Sequence, residues 1–210
     1  MKESEKLGLQ STFNFMCSVT NKSYDVLYDC NNKLIRRLMR DINDRGHLIG
    51  LHPSYSSFDK PAVIESEANT LREILKEEEI KQSILGGRMH YLRWTLPNTP
   101  LGWELSQCKF DSTVAYSDHI GFRAGTCHSF TMFDPVNQRI LKLRQRPLIL
   151  MECSLISNHY MGLGYTKEAY NMISTIKSRV RKVGGNFTFL WHNSHLVSES
   201  DFEMYRFILE

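Results

Sequence analysis

The chain carries HLIGLHPSY at residues 47–55, a short apolar segment that runs directly into His52. Residues 31–45 before it have apolar side chains at helical spacing, and Gly46 ends that pattern. A second helical pattern follows from Pro61, a residue suited to the first turn of a helix. We therefore expect a strand at residues 47–51 between two helices, which is the repeating unit of a parallel α/β sheet.

The same alternation extends in both directions along the chain, about six times in all. Further strands are expected at residues 11–17, 84–92, 112–116 and 186–191, and further helices at residues 99–107, 166–182 and 198–210. Extended segments on either side of residues 134–137 predict a β-hairpin inserted within residues 129–155. The sequence thus predicts one domain, residues 1–210, with a mostly parallel sheet and outer helices, and leaves open whether the sheet closes into a barrel.

The first two long helices have candidate inner faces that can be compared with a structure. The face of the first consists of Leu34, Ile35, Leu38, Met39 and Ile42. The face of the second consists of Val63, Ile64, Ala68, Leu71, Ile74 and Leu75. Both sets recur every three to four residues, as one side of a helix against a sheet requires.

The composition excludes several classes of protein. Hydrophobic residues make up 41% and charged residues 23% of the chain, so long disordered regions are not expected. The net charge of +3 from 26 basic and 23 acidic residues is too balanced to indicate a nucleic-acid or membrane partner. No apolar run approaches the roughly 18 residues of a membrane span. The five cysteines are far apart and form no Cys-x-x-Cys pair, which argues against a disulfide framework and a structural zinc knuckle.

The beginning of the chain gives two further expectations. Residues 1–6 are charged and lead into no apolar export signal, so we expect a cytoplasmic protein. Residues 3–8 resemble the tail of a helix that feeds the first strand, and a parallel barrel would need another strand before it. The sequence therefore predicts an entry in the middle of a fold, with an unpaired sheet edge through which the chain can oligomerise.

Residues that could bind a ligand or take part in catalysis recur just after the predicted strands, where ligands collect in parallel α/β proteins. These residues are His52 after the second strand; Arg88, His90 and Arg93 in the third; Asp118, His119 and Arg123 after the fourth; Glu152 near the hairpin; and His192, Asn193 and His195 after the last. Neutral imidazoles suit a divalent metal such as zinc, and His52 with His90 supplies two nitrogens. His192 is a candidate general acid, and Arg88 or Arg123 could orient a carboxylate base or stabilise an oxyanion.

Each of these residues also has a structural interpretation. His47 and His159 are assigned to structural or exposed positions, and His119 and His128 are placed with them. Arg123 lies close to Gly121, Gly125 and Thr126, and it could pair with a carboxylate to hold this glycine-containing loop. The tryptophans Trp94, Trp103 and Trp191 could serve packing instead of sugar stacking, and the basic residues 177–182 could form a solvated helix face. Joint placement at strand ends favours function for His52, His90 and His192.

An ordered set of motifs in the chain resembles a known family. The motifs are GLHPSY at residues 50–55, RMHYLRW at 88–94, Asp118 with GFRAGT at 121–126, and LWHN at 190–193. This set resembles the polysaccharide-deacetylase-like family, a divergent branch of the NodB-homology (carbohydrate esterase family 4) superfamily. The resemblance runs from about Ser11 to the end of the chain.

The resemblance implies a distorted (β/α) barrel of about seven strands. It also implies metal-dependent removal of N- or O-acetyl groups from a carbohydrate. By this likeness His52 matches the first histidine of the metal-binding motif, His192 the general acid, and Arg88 an arginine that holds the catalytic base. The full set of expected site residues is His52 and His90 for a divalent metal, expected to be zinc; His192, Arg88, Arg123 and Asp118 for catalysis; and Tyr91, Arg93, Trp94 and Trp191 for the glycan substrate.

The sequence also departs from the family pattern. Ser56 occupies the position of the family's second metal-binding histidine, so His90 is inferred to replace it. The paired aspartates at the end of the family's first strand are missing, and Asp25 and Asp29 do not match that motif. The chain thus resembles a family member without its first βα unit.

Two other functions compete with a deacetylase. One is a catalytically impaired carbohydrate-binding relative on the same fold, favoured by the missing aspartates. The other, nucleic-acid binding through residues 139–146, is disfavoured by the near-neutral charge and the lack of a recognised motif.

Overall fold

The computed structural model describes every residue from Met1 to Glu210. The α-helices are α1 (Lys2–Lys6), α2 (Lys33–Asp44), α3 (Pro61–Glu77), α4 (Asn98–Leu105), α5 (Glu152–Ile156), α6 (Lys167–Lys182) and α7 (Glu199–Leu209). The strands are β1 (Thr12–Phe15), β2 (Leu48–Leu51), β3 (Gly86–Gly87), β4 (Phe110–Asp111), β5 (Phe130–Asp134), β6 (Arg139–Gln145), β7 (Leu150–Met151) and β8 (Phe189–Leu190). Short 3₁₀ turns lie at Tyr55–Ser57, His90–Leu92 and Asn193–His195.

The chain divides into two compact units. Unit one consists of Met1–Thr113 with Phe130–Gln145, and unit two consists of Val114–Ser129 with Arg146–Glu210. The assignment of residues 1–210 to one family domain stays a prediction.

Unit one is built on a six-stranded sheet with the order β1-β2-β3-β4-β6-β5. All neighbouring strands are parallel except β5 and β6, which form the predicted antiparallel hairpin. Asp134 closes this hairpin by accepting the backbone N–H groups of Val136 and Asn137. The predicted mixed α/β class with a parallel sheet is therefore confirmed. The strand pairing gives a six-stranded and a two-stranded sheet and does not show a closed barrel.

The helices of unit one cover the sheet with a narrower apolar face than the sequence indicates. In α2 the buried residues are Met39 and Ile42, whereas Leu34 is 74% exposed. Residues 35, 39 and 42 form one stripe at 3.6 residues per turn, and residues 34 and 38 lie to one side of it. In α3 the predicted face is buried apart from the half-buried Val63, and the carboxylate of Glu67 is buried with it.

Two predicted strands are shorter or displaced. The strand expected at residues 84–92 is reduced to Gly86–Gly87, because the backbone turns at Tyr91 and Leu92, whose φ angles are 55° and 52°. The strand expected at 112–116 lies instead at Phe110–Asp111. The strand β3 nevertheless pairs with β2, and β4 pairs with β3, which fixes where the side chains after each strand lie.

Unit two contains the parallel pair β7 and β8 with helices α5, α6 and α7. Its apolar core includes Ile149, Leu150, Ile173 and Met204. Helix α6 begins at Thr166, whose hydroxyl accepts the N–H of Ala169, a local signal of the kind that made this helix predictable. None of the helices in either unit has the length and apolar character needed to cross a membrane.

Candidate functional site

Two histidines meet at the ends of neighbouring strands in unit one. His52 directly follows β2, and His90 lies three residues after β3. Because β2 and β3 are parallel neighbours, their carboxyl ends lie at one edge of the sheet. His52 Nε2 lies 2.9 Å from His90 Nδ1, with the two rings nearly perpendicular at 80°. The structure thus brings together the two residues expected to bind metal.

The remaining nitrogen of each ring is held by a backbone carbonyl. His52 Nδ1 lies 2.7 Å from the carbonyl oxygen of Arg88, and His90 Nε2 lies 2.8 Å from that of Tyr24. A carbonyl oxygen only accepts hydrogen bonds, so each ring donates an N–H to it. Two neutral rings would then direct lone pairs at each other across 2.9 Å. A cation between the two nitrogens would relieve this repulsion.

Asp25, which sequence analysis set aside, lies beside this pair. Its Oδ1 is 4.0 Å from His90 Nε2, and its side chain is fully buried. Burial raises the pKa of this carboxyl, but the N–H groups of Asn21, Tyr55 and Thr20 outweigh burial and hold the pKa below its usual value. Asp25 is therefore a buried anion next to His90. Its place in the loop after β1 gave no sequence signal, because only the tertiary fold returns that loop to the end of β3.

Glu67 fixes the segment that follows His52. It accepts the backbone N–H of Ser54 at 2.9 Å and also the Ser54 hydroxyl. Burial raises the pKa of Glu67, and the hydrogen bonds from Ser54 act in the opposite direction. The sequence gave no hint of this role, because Glu67 lies in the middle of a helix whose other buried residues are apolar.

Arg88 is buried, and its Nε donates to the carbonyl oxygen of Ser112 at 2.8 Å. The carboxylate near it is Asp111, at the end of β4, which is fully buried. Burial raises the pKa of Asp111 to about 6, against the opposing effects of hydrogen bonds from Thr113 and the positive charge of Arg88. The sequence analysis named Arg88 and missed Asp111, whose only signal is its position at a strand end.

Three tyrosines surround the histidine pair. Tyr91 is 59% exposed and places its ring edgewise to His90 at 4.6 Å and to Tyr55 at 5.4 Å between centroids. Tyr24 stacks on Tyr55 at 4.3 Å. Of these, only Tyr91 was expected to contact substrate, and its left-handed backbone conformation is what turns its ring toward His90.

The other two expected substrate residues of unit one have packing contacts. The Arg93 guanidinium lies 4.1 Å above the ring of Tyr55 and 3.8 Å above that of Phe58, and it donates to the carbonyl oxygen of Tyr55. Trp94 is half-buried against the apolar core of unit one. Arg93 therefore braces the segment that carries Tyr55.

In unit two, His192 follows β8 and bonds to Glu152, the first residue of α5 after β7. His192 Nδ1 lies 2.5 Å from Glu152 Oε1, and the same oxygen accepts the backbone N–H of His192 at 3.0 Å. Hydrogen bonds with Cys153 and then with Glu152 raise the pKa of His192 to about 10. Burial raises the pKa of Glu152, but His192 outweighs burial and lowers it overall. His192 is thus held as an imidazolium against a buried carboxylate.

A second histidine shares this carboxylate. His195 Nδ1 lies 2.9 Å from the same Oε1 of Glu152. The sequence analysis placed Glu152 and His195 among the strand-end residues without giving either a role. Trp191 lies next to them and donates its indole N–H to the carbonyl oxygen of His195 at 3.3 Å.

The remaining expected catalytic residues, Asp118 and Arg123, make local contacts. Asp118 is exposed and pairs with His119 at 2.9 Å. Arg123 Nη1 donates to the carbonyl oxygen of Ala115 at 2.7 Å, so a carbonyl instead of a carboxylate holds it across its loop.

The fold of the chain resembles one solved structure. A Mycobacterium smegmatis protein described as a "putative polysaccharide deacetylase" aligns with a TM-score of 0.59 and 16% sequence identity. The match covers 91% of this chain and 61% of that protein's chain. No protein-family model matches the sequence, and no curated protein matches it significantly. The comparison thus shows that the fold of this chain is similar to that of the Mycobacterium smegmatis protein.

Proposed function

We propose that the chain is a metal-dependent hydrolase that removes N- or O-acetyl groups from a carbohydrate. The observation that carries this proposal is the contact between His52 Nε2 and His90 Nδ1, 2.9 Å apart at a strand-end edge. The fold similarity supports it, since a similar fold occurs in a protein described as a "putative polysaccharide deacetylase".

The donor set of this pair fits a divalent metal such as zinc. Ligands about 2.0–2.1 Å from a tetrahedral zinc lie about 3.4 Å from each other, so the two nitrogens need to separate by about half an ångström. Carbonyl oxygens that orient the opposite ring nitrogens are the usual outer partners of metal-ligating histidines. The buried Asp25 anion adds a negative charge that favours a cation at His90.

A divalent metal, when bound, supplies Lewis-acid activation of water and of the acetyl carbonyl. The chain's own residues supply the other requirements. In unit two, the resemblance assigns proton donation to His192, and Glu152 holds the Nδ1–H of that ring, which leaves Nε2 as the donor toward a leaving group. A pKa of about 10 keeps this imidazole protonated at neutral pH, as a general acid requires.

The substrate class rests on the tyrosines near the histidine pair. Tyr91 is exposed and its ring lies 4.6 Å from that of His90, and the ring of the exposed Tyr24 lies 5.6 Å from that of Tyr91. A tyrosine presents an apolar ring face and a polar hydroxyl, which together suit the C–H and O–H groups of a sugar. We therefore propose Tyr91, with Tyr24, as the contact surface for the sugar.

The first test replaces His52 by alanine. We expect His52→Ala to lose the metal ion held by the His52–His90 pair and, with it, acetate release from acetylated chitooligosaccharides or xylooligosaccharides, because one imidazole alone cannot hold that ion. The measurements are elemental analysis of the purified chain and an acetate assay. The exposed His159 provides the matched control, and His159→Ala should keep both properties. Full metal occupancy in His52→Ala would remove His52 from the ligand set.

A second candidate function is a carbohydrate-binding relative without catalysis. The exposed tyrosines favour binding, and Ser56 in place of the second metal-binding histidine favours loss of catalysis. Glycan binding that persists after chelator treatment, with no acetate release by the metal-loaded chain, would support this function over the hydrolase.

A further inference from the structure

Unit two contains a compact group of metal-ligating side chains apart from the His52–His90 pair. Ligand atoms of Glu152, His192 and His195 all lie within 4.8 Å of one another. The two histidines come from one short segment after β8, and Glu152 comes from the end of the neighbouring strand β7. The pairing of β7 with β8 therefore builds the group into the fold.

Only one of the two carboxylate oxygens of Glu152 has hydrogen-bond partners. Glu152 is only 1% exposed, and its Oε1 accepts N–H groups from the backbone of His192 and from both imidazoles. Its Oε2 is buried and has no hydrogen-bond partner. A buried charged oxygen without a partner is costly, and such groups call for an explanation such as a bound ion. The imbalance points to a cation held by both carboxylate oxygens, since such an ion would give Oε2 the partner that it lacks.

The three side chains suit zinc. Two imidazole nitrogens and one carboxylate oxygen are a ligand set that zinc uses in proteins, with a further position for water. The nitrogens now lie 2.5 Å and 2.9 Å from Oε1 and must move to about 3.4 Å around a tetrahedral ion. The His192 and His195 side chains are 44% and 50% exposed, so they have room to move while Glu152 stays fixed. Each ring then carries its N–H on Nε2, where solvent can accept it.

We propose that Glu152, His192 and His195 form a second divalent-metal site, which binds zinc. Zinc binding by this cluster does not depend on the proposed function.

The test is a zinc titration of the full-length chain after its metal has been removed by a chelator. Equilibrium dialysis should give two zinc equivalents for the unaltered chain and for His159→Ala. His195→Ala and His195→Gln should each bind one equivalent, retained on the His52–His90 pair. Two equivalents bound by a folded His195→Gln chain would overturn the proposal, and circular dichroism establishes that the variant is folded.

The same variants separate this site from the proposed function. His52→Ala should also bind one equivalent, and this zinc should be lost when His195→Gln is added. A His195-dependent zinc in a chain that releases no acetate would uphold the second site and reject the hydrolase.

Discussion

Hydrogen-bond acceptors decide what the histidines of this chain can do. Carbonyl oxygens take one N–H from His52 and one from His90, and so turn the other two nitrogens toward each other. His192 has different partners. Hydrogen bonds with Cys153 and with the Glu152 carboxylate stabilise its imidazolium and raise the pKa of His192 to about 10. The same side-chain type thus presents two facing ring nitrogens in unit one and a charged ring against a buried carboxylate in unit two.

Asp111 gives a prediction at the scale of one residue. Its pKa rises from 3.8 to about 6 because it is buried, so the folded chain binds this proton more tightly than the unfolded chain. The free energy of unfolding therefore falls as the pH rises from about 4 to about 6, by about 3 kcal/mol from this group. We expect Asp111→Asn to lack this component, because asparagine does not titrate.

The measurement is chemical denaturation of both chains at several pH values between 4 and 7. The free energy of unfolding of the native chain, minus that of Asp111→Asn, should fall by about 3 kcal/mol as the pH rises over this range. Other titrating groups are common to both chains and cancel in the difference. A constant difference would mean that Asp111 keeps an ordinary pKa in the folded chain.

At the scale of elements, the short strand β3 controls the histidine pair. A Cβ atom on Gly87 would lie 1.9 Å from the carbonyl oxygen of Leu51, the last residue of β2. Glycine is therefore what lets β3 approach β2 closely enough for His90 to reach His52. The hairpin β5–β6 and the caps of α6 are by contrast specified by their own local sequence.

Replacing Gly87 by alanine should force β2 and β3 apart. We expect a loss of about 3 kcal/mol in the free energy of unfolding, because backbone instead of a flexible side chain must move. Metal affinity should fall with it, since the two imidazoles separate. The control is Gly46→Ala, where no atom lies within 4 Å and only the positive φ of 79° opposes a side chain, at about 1 kcal/mol. Equal losses in the two variants, measured by denaturation, would contradict the assigned role of Gly87.

At the scale of the whole molecule, the six-stranded sheet has β1 at one end, bonded only to β2. An unpaired parallel edge is a template for pairing with another chain. We expect the chain to associate as concentration rises, and Thr12→Lys to prevent this by placing a charge on the edge. Sedimentation velocity measures the mass, with Ser66→Lys on α3 as the control. A purely monomeric native chain at high concentration would reject association through this edge.

The sequence by itself determined the alternation of strands and helices, the parallel class of the sheet and the inserted hairpin. Apolar periodicity, helix caps and turn residues are local signals, so they are readable without a structure. Strand ends also selected His52, His90 and His192, and His52 and His90 share one edge because they follow neighbouring parallel strands. The lengths of β3 and β8 were overestimated, since the turns that shorten them depend on tertiary contacts.

Only the tertiary structure decided which side chains meet. Asp25 and Tyr24 reach His90 because a loop folds back over 65 residues of chain, a distance at which sequence spacing carries no information. Glu67 and Asp111 are buried carboxylates whose surroundings come from other elements. Likewise, Glu152 joins His192 and His195 only through the pairing of β7 with β8. Periodicity fixes which residues face a core, whereas register and burial fix the partner, the charge and the pKa of each functional group.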